Sequence, residues 1–74
     1  MNSIDILHGV NTVAISAYNL RFCDSVSTLA EARRSIRSEL YALRSAISNS
    51  LYCVLFDALD KTYQERLSIL EVLE

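Results

Sequence analysis

The chain contains no proline and a single glycine, Gly9, among 74 residues. No other feature constrains its fold as strongly. Proline and glycine lock or invert the backbone at the tight turns of sheet proteins and interrupt helices, so a chain nearly free of both meets little local opposition to helix. An all-α fold is the expectation, and the spacing of apolar residues assigns its helices.

In the first segment Ile6, Val10, Val13, Ala17 and Leu20 recur in steps of four and three, and Ile4, Leu7, Ala14 and Tyr18 widen the same stripe. This predicts an amphipathic helix over about residues 3–21. A strand competes for the same segment, because Val10, Thr12, Val13 and Ile15 are β-branched and Tyr18, Leu20 and Phe22 alternate. Gly9 weakens a helix by about 1 kcal/mol relative to Ala, a cost that makes sense where a second helix must approach closely. The rhythm fails at Cys23, Asp24, Ser25, Ser27 and Thr28, whose side chains compete for backbone hydrogen bonds, so a turn is expected over about 22–27. Asp24 is a candidate cap for the next helix, and Thr28 with Glu31 has the spacing of a capping box.

From Leu29 the rhythm resumes through Arg33, Ile36, Leu40, Leu43, Ile47, Ser50 and Val54, and then drifts in phase through Leu51, Leu55, Leu59, Tyr63, Leu67, Leu70 and Leu73. The expected element is a long second helix over about 28–72, interrupted at most once, near 48–50 or near 57–62. Thr62 and Glu65 offer a second capping box for a break at Asp60. Uninterrupted, that helix would be about 68 Å long, and the first helix would cover less than half of it.

Size then argues for a partner chain. A domain of this length buries only about 60% of the surface that its unfolded form exposes, and is marginal without a staple or association. Two cysteines, Cys23 and Cys53, allow at most one intramolecular disulfide and complete no zinc site, while 51% of the residues are hydrophobic. The expected architecture is a helical hairpin assembling as a dimeric helical bundle or coiled coil through Ile36, Leu40, Leu43, Ile47, Leu51, Leu55 and Leu59. Leu51–Leu59, apolar almost all round, would form its centre, with Cys53 a buried thiol. Tyr41, Tyr52, Phe56 and Tyr63 would stack along a second contact face, as packing rather than as a ligand platform.

Charge is unevenly placed in a chain whose formal net charge is −2. Arg33, Arg34, Arg37 and Arg44 cluster in the middle, and Asp57, Asp60, Glu65, Glu71 and Glu74 follow. Antiparallel pairing of two long helices would match the basic part of one to the acidic part of the other. Arginine also suits an acidic protein partner, through its bidentate geometry. Nucleic acid is the alternative, with the arginines on phosphates, but the negative total charge, the single lysine and the absence of any finger or helix-turn-helix spacing weigh against it.

Enzyme chemistry finds no constellation. His8 is the sole imidazole, with Asp5 at hydrogen-bonding spacing on a helix; Cys53 lies among apolar neighbours, where a thiolate is disfavoured; and one glycine cannot build a phosphate loop. No cofactor, metal or small-molecule substrate is expected. The opening residues lack the basic start of a secretory signal, and the uncharged runs are too short and polar to span a membrane, so a cytoplasmic setting is expected. The sequence resembles no family by motif. Its size and composition associate it with small accessory and regulatory proteins of bacteria and phages, and the expected activity is binding.

Overall fold

Where the apolar rhythm runs, the backbone is helical. The computed structural model describes residues 3–73, which form α1 (Ser3–Asn19), a single 3-10 turn (Leu20–Phe22), α2 (Val26–Leu43) and α3 (Asn49–Leu73). The strand considered for the first segment is absent among the described residues. β-branched residues set no strand here, because Val10, Val13, Ala17 and Leu20 share one helical face and bury it together.

Local capping decides where each helix begins. Ser25, in extended conformation with φ −141° and ψ 157°, accepts the Thr28 N–H on its Oγ at 3.1 Å. Ser25 rather than Asp24 or Thr28 is therefore the cap, and Thr28 lies inside the first turn, where the Ser25 hydroxyl donates to its Oγ1 at 2.9 Å. Two overlapping pairs, Ser25 with Thr28 and Thr28 with Glu31, had the required spacing, and the chain uses the earlier one.

The long second helix expected over 28–72 is two helices. Its interruption falls at residues 44–48, and the alternative break at 57–62 does not occur: α3 runs straight through Thr62 and Glu65, whose capping box is not used. The Arg44 N–H donates to Tyr41 O at 3.1 Å and the Ala46 N–H to Leu43 O at 2.9 Å, tightening the end of α2. Ser48 then caps α3, its Oγ accepting the Leu51 N–H at 3.1 Å while its carbonyl accepts the Tyr52 N–H at 3.0 Å. No described residue here adopts positive φ, so this reversal needs no glycine.

Because the second helix folds back, the hairpin becomes a three-helix bundle, 44 × 18 × 14 Å, with α1 packed against both α2 and α3. Val13 and Ala17 of α1 and Leu20 of the 3-10 turn meet Leu29, Ile36, Leu40 and Leu43 of α2 and Leu55, Leu59 and Leu70 of α3 in one continuous core. Gly9 sits where α1 crosses the end of α2. A Cβ added there would lie 3.0 Å from Leu43 Cδ2, so the glycine permits the close approach that its position suggested. One side-chain bond ties the far end of α3 to the first link: Arg66 Nε donates to Cys23 O at 2.9 Å. No helix among the described residues is long and apolar enough to cross a membrane.

The stripe expected to join two chains is thereby placed inside one. Ile36, Leu40, Leu43, Leu55 and Leu59 are buried in the bundle, and Ile47 and Leu51 are half-buried at its edge. Leu51–Leu59 is not apolar core on all sides, because Leu55 and Leu59 point inward while Cys53, Val54, Asp57 and Ala58 face out. Cys53 is accordingly exposed, Cys23 is half-buried, and both thiols are free. On α1, Ile4, Leu7, Ala14 and Tyr18 do not widen the buried stripe but lie on the outside.

Candidate functional site

Antiparallel return of α3 along α2 brings the arginines of the one opposite the aromatic rings of the other. Steps of four and seven put Arg33 and Arg37 along one side of α2 with Arg44 just past its end, and Tyr52, Phe56 and Tyr63 recur in steps of four and seven along α3. Where the helices meet they form an open groove of about 460 Å³, lined by Arg33, Arg34, Arg37, Tyr41, Tyr52, Phe56 and Tyr63 with Ala30 and Ser38. No α1 residue reaches it.

Guanidinium groups and rings alternate along this groove. Arg33 Cζ lies 4.5 Å from the Tyr63 ring centroid, Arg37 Cζ 5.8 Å from that of Phe56, and Arg44 Cζ 6.0 and 5.9 Å from those of Tyr41 and Tyr52. A cation over an aromatic face is attracted by the ring quadrupole, and a guanidinium does this while keeping its N–H edge available. The Tyr52 and Phe56 rings stack with centroids 6.4 Å apart and planes at 22°, which stiffens the α3 wall.

Counter-charge is sparse. Arg33 Nη2 stands 3.7 Å from Asp60 Oδ1, a pair joining α2 to α3 within one chain. The basic-to-acidic match expected of two antiparallel copies is thus met, at this point, by α2 and α3 themselves. Arg33 Nε is buried with no hydrogen-bond acceptor, and among the described residues Arg34 and Arg37 carry no ion pair. A buried donor without a partner is uncommon in folded proteins, and this one lies in a guanidinium held between the Tyr63 ring and Asp60.

Three of the four arginines singled out from the sequence, Arg33, Arg34 and Arg37, line the groove, while Arg44 lies outside its lining, near the Tyr41 and Tyr52 rings. The rings expected to form a separate stacking face line the same groove instead. Reading one continuous helix concealed this, since only the reversal at Ser48 carries Tyr63 back to Arg33 and Tyr52 back to Arg44. Asp60, the carboxylate beside Arg33, was assigned no such role. His8 is exposed, with its carbonyl accepting the Thr12 hydroxyl at 2.9 Å, and among the described residues no three of His, Cys, Asp and Glu gather into a metal site. The chain matches no protein family, no curated protein and no solved structure.

Proposed function

We propose that this chain is a non-enzymatic interaction protein whose α2–α3 groove receives an acidic segment of a partner protein. The observation that carries this reading is the row of guanidinium groups with little counter-charge: among the described residues Arg34 and Arg37 make no ion pair, and Arg33 pairs only with Asp60, at 3.7 Å. Carboxylates of a partner would supply acceptors in bidentate geometry, and the four rings would take up the apolar side of the same segment. An amphipathic helix with Asp or Glu beside leucine-like residues meets both demands, docking by the helix-in-groove mode.

Arginines beside aromatic rings also occur where single-stranded nucleic acid is bound, with bases stacked on exposed rings. Here Phe56, Tyr63, Tyr41 and Tyr52 already have guanidinium groups over them. An acidic protein segment, which engages the cations and leaves the stacks in place, is favoured for that reason. Fluorescence anisotropy separates the two readings. A labelled amphipathic peptide with Glu at i, i+3, i+4 and i+7 should bind the wild type and lose at least about tenfold in affinity to Arg34→Ala/Arg37→Ala, a change of about 1.4 kcal/mol or more. Unchanged binding by the double variant, or tighter and steeply salt-dependent binding of a labelled oligonucleotide, would sink the protein-partner reading.

A further inference from the structure

The outer face of α1 is apolar without reason in a single copy of the chain. At 100° per residue, its inward set (half-buried Ile6 and Val10, buried Val13 and Ala17, and Leu20 in the turn that follows) and its outward set (Ile4, Leu7, Ala14, Ile15 and Tyr18) point about 130° apart, so one helix carries two greasy sides. The inward side serves the bundle, while of the outward set only Tyr18 is engaged among the described residues, with its ring edge-on to Phe22 at 6.2 Å between centroids and the Arg21 guanidinium 4.8 Å from its ring centroid. Ile4 is 78% exposed, Leu7 61%, Ile15 61% and Tyr18 54%, with Phe22 at 66% just beyond the helix. Together they present on the order of 600 Å² of mostly apolar surface, at the upper end of what a monomeric protein leaves in water.

The order of these residues is symmetric. Ile4, Leu7, Asn11, Ile15 and Tyr18 follow one another in steps of three, four, four and three, a palindrome centred on Asn11. Such a stripe fits itself when a second copy lies antiparallel across a two-fold axis, which is the requirement of an isologous interface. We propose that α1 docks on α1 of a second copy in this register, with Asn11 on the axis. Ile4 of one copy then meets the partner copy's Tyr18, and Leu7 meets the partner copy's Ile15. The single polar side chain of the stripe meets its own counterpart, and this suits an amide: it is both donor and acceptor, so two of them across a two-fold exchange a pair of hydrogen bonds. A lone Asn in an apolar helical seam fixes register and orientation in this way. Ile4 to Ile15 and Leu7 to Tyr18 are each eleven residues apart, a period close to that of a straight helix, so the seam stays in line along α1 without marked supercoiling. The paired faces bury at most on the order of 1,000 Å², about the minimum for a specific interface.

This dimer shares no residue with the arginine groove, so it stands or falls separately from the function proposed above. Light scattering on the full chain from about 1 µM to about 1 mM, with circular dichroism on the same samples, tests it. The expected result is a mass twice 8.3 kDa that falls to 8.3 kDa for Ile15→Glu with unchanged helicity. Asn11→Asp should weaken the dimer at least about tenfold by setting two carboxylates face to face. Val54→Glu, on the outside of α3, should leave it intact. A wild type of single-chain mass throughout, or a dimer that survives both α1 variants, overturns the proposal, and so does one dissolved by Val54→Glu alone.

Discussion

At the scale of single residues, the contact that does most to join distant parts of the chain is the hydrogen bond from Arg66 Nε to Cys23 O. It is partly buried, it involves a charged donor, and it satisfies the carbonyl of a residue that has just left a helical turn and has no helical partner of its own. Arg66→Ala should therefore lower stability by about 1–2 kcal/mol in urea unfolding followed by circular dichroism, and Arg66→Lys should recover little of the loss because lysine has no Nε edge to place there. Nothing in the sequence marks this pair, since its members are separated by 43 residues and neither belongs to a repeating pattern. Arg33 is the opposite case. It stood out from the start as an arginine interrupting an apolar step, yet its neighbours Asp60 and Tyr63 could be recognised only once α3 was known to return along α2.

Helices and their ends form the next scale. Ser48 caps α3 where two successive helices could have been one, so Ser48→Ala should lower stability by about 1 kcal/mol, visible as a lower midpoint in thermal unfolding. The Gly9 notch argues in the same terms. Ala at this position gains helix propensity while its Cβ presses on Leu43, and the two effects oppose each other; Gly9→Val adds branching that crowds both, and should destabilise by about 1–3 kcal/mol. Helicity was legible in the sequence because steps of three and four ran through α1, α2 and α3 alike, but the break was not placed: of the run Ser48, Asn49, Ser50 only Ser48 lies in the interruption at 44–48, and Asn49 and Ser50 open α3. The choice of Ser25 over Thr28 as a cap was not legible, since both carry a hydroxyl at the right spacing and only the backbone angles of Ser25 separate them. Nor was the partner of the central stripe. Ile36, Leu40, Leu43, Leu55 and Leu59 demand burial, and periodicity alone is indifferent to whether the burying surface belongs to the same chain or to another.

In the whole molecule, one core serves all three helices, and Leu40, at 1% exposed, is among its most deeply buried side chains. Leu40→Ala leaves a cavity touching more than one helix, and a loss of about 2–4 kcal/mol is expected, a large part of the stability of so small a domain. Unfolding monitored by far-ultraviolet circular dichroism and by tyrosine fluorescence should shift together, since no helix has a second core to fall back on; separated transitions would mean that α1 comes away first. The connections at residues 23–25 and 44–48 are short, so each helix closes on its neighbour with little search. Bundles of this topology form in microseconds to milliseconds, whereas two copies at micromolar concentration must first find each other by diffusion. Refolding by rapid dilution should accordingly resolve into two clocks: a fast one indifferent to how much protein is present, and a slower one whose rate rises with concentration and which falls silent when Ile15 is changed to Glu.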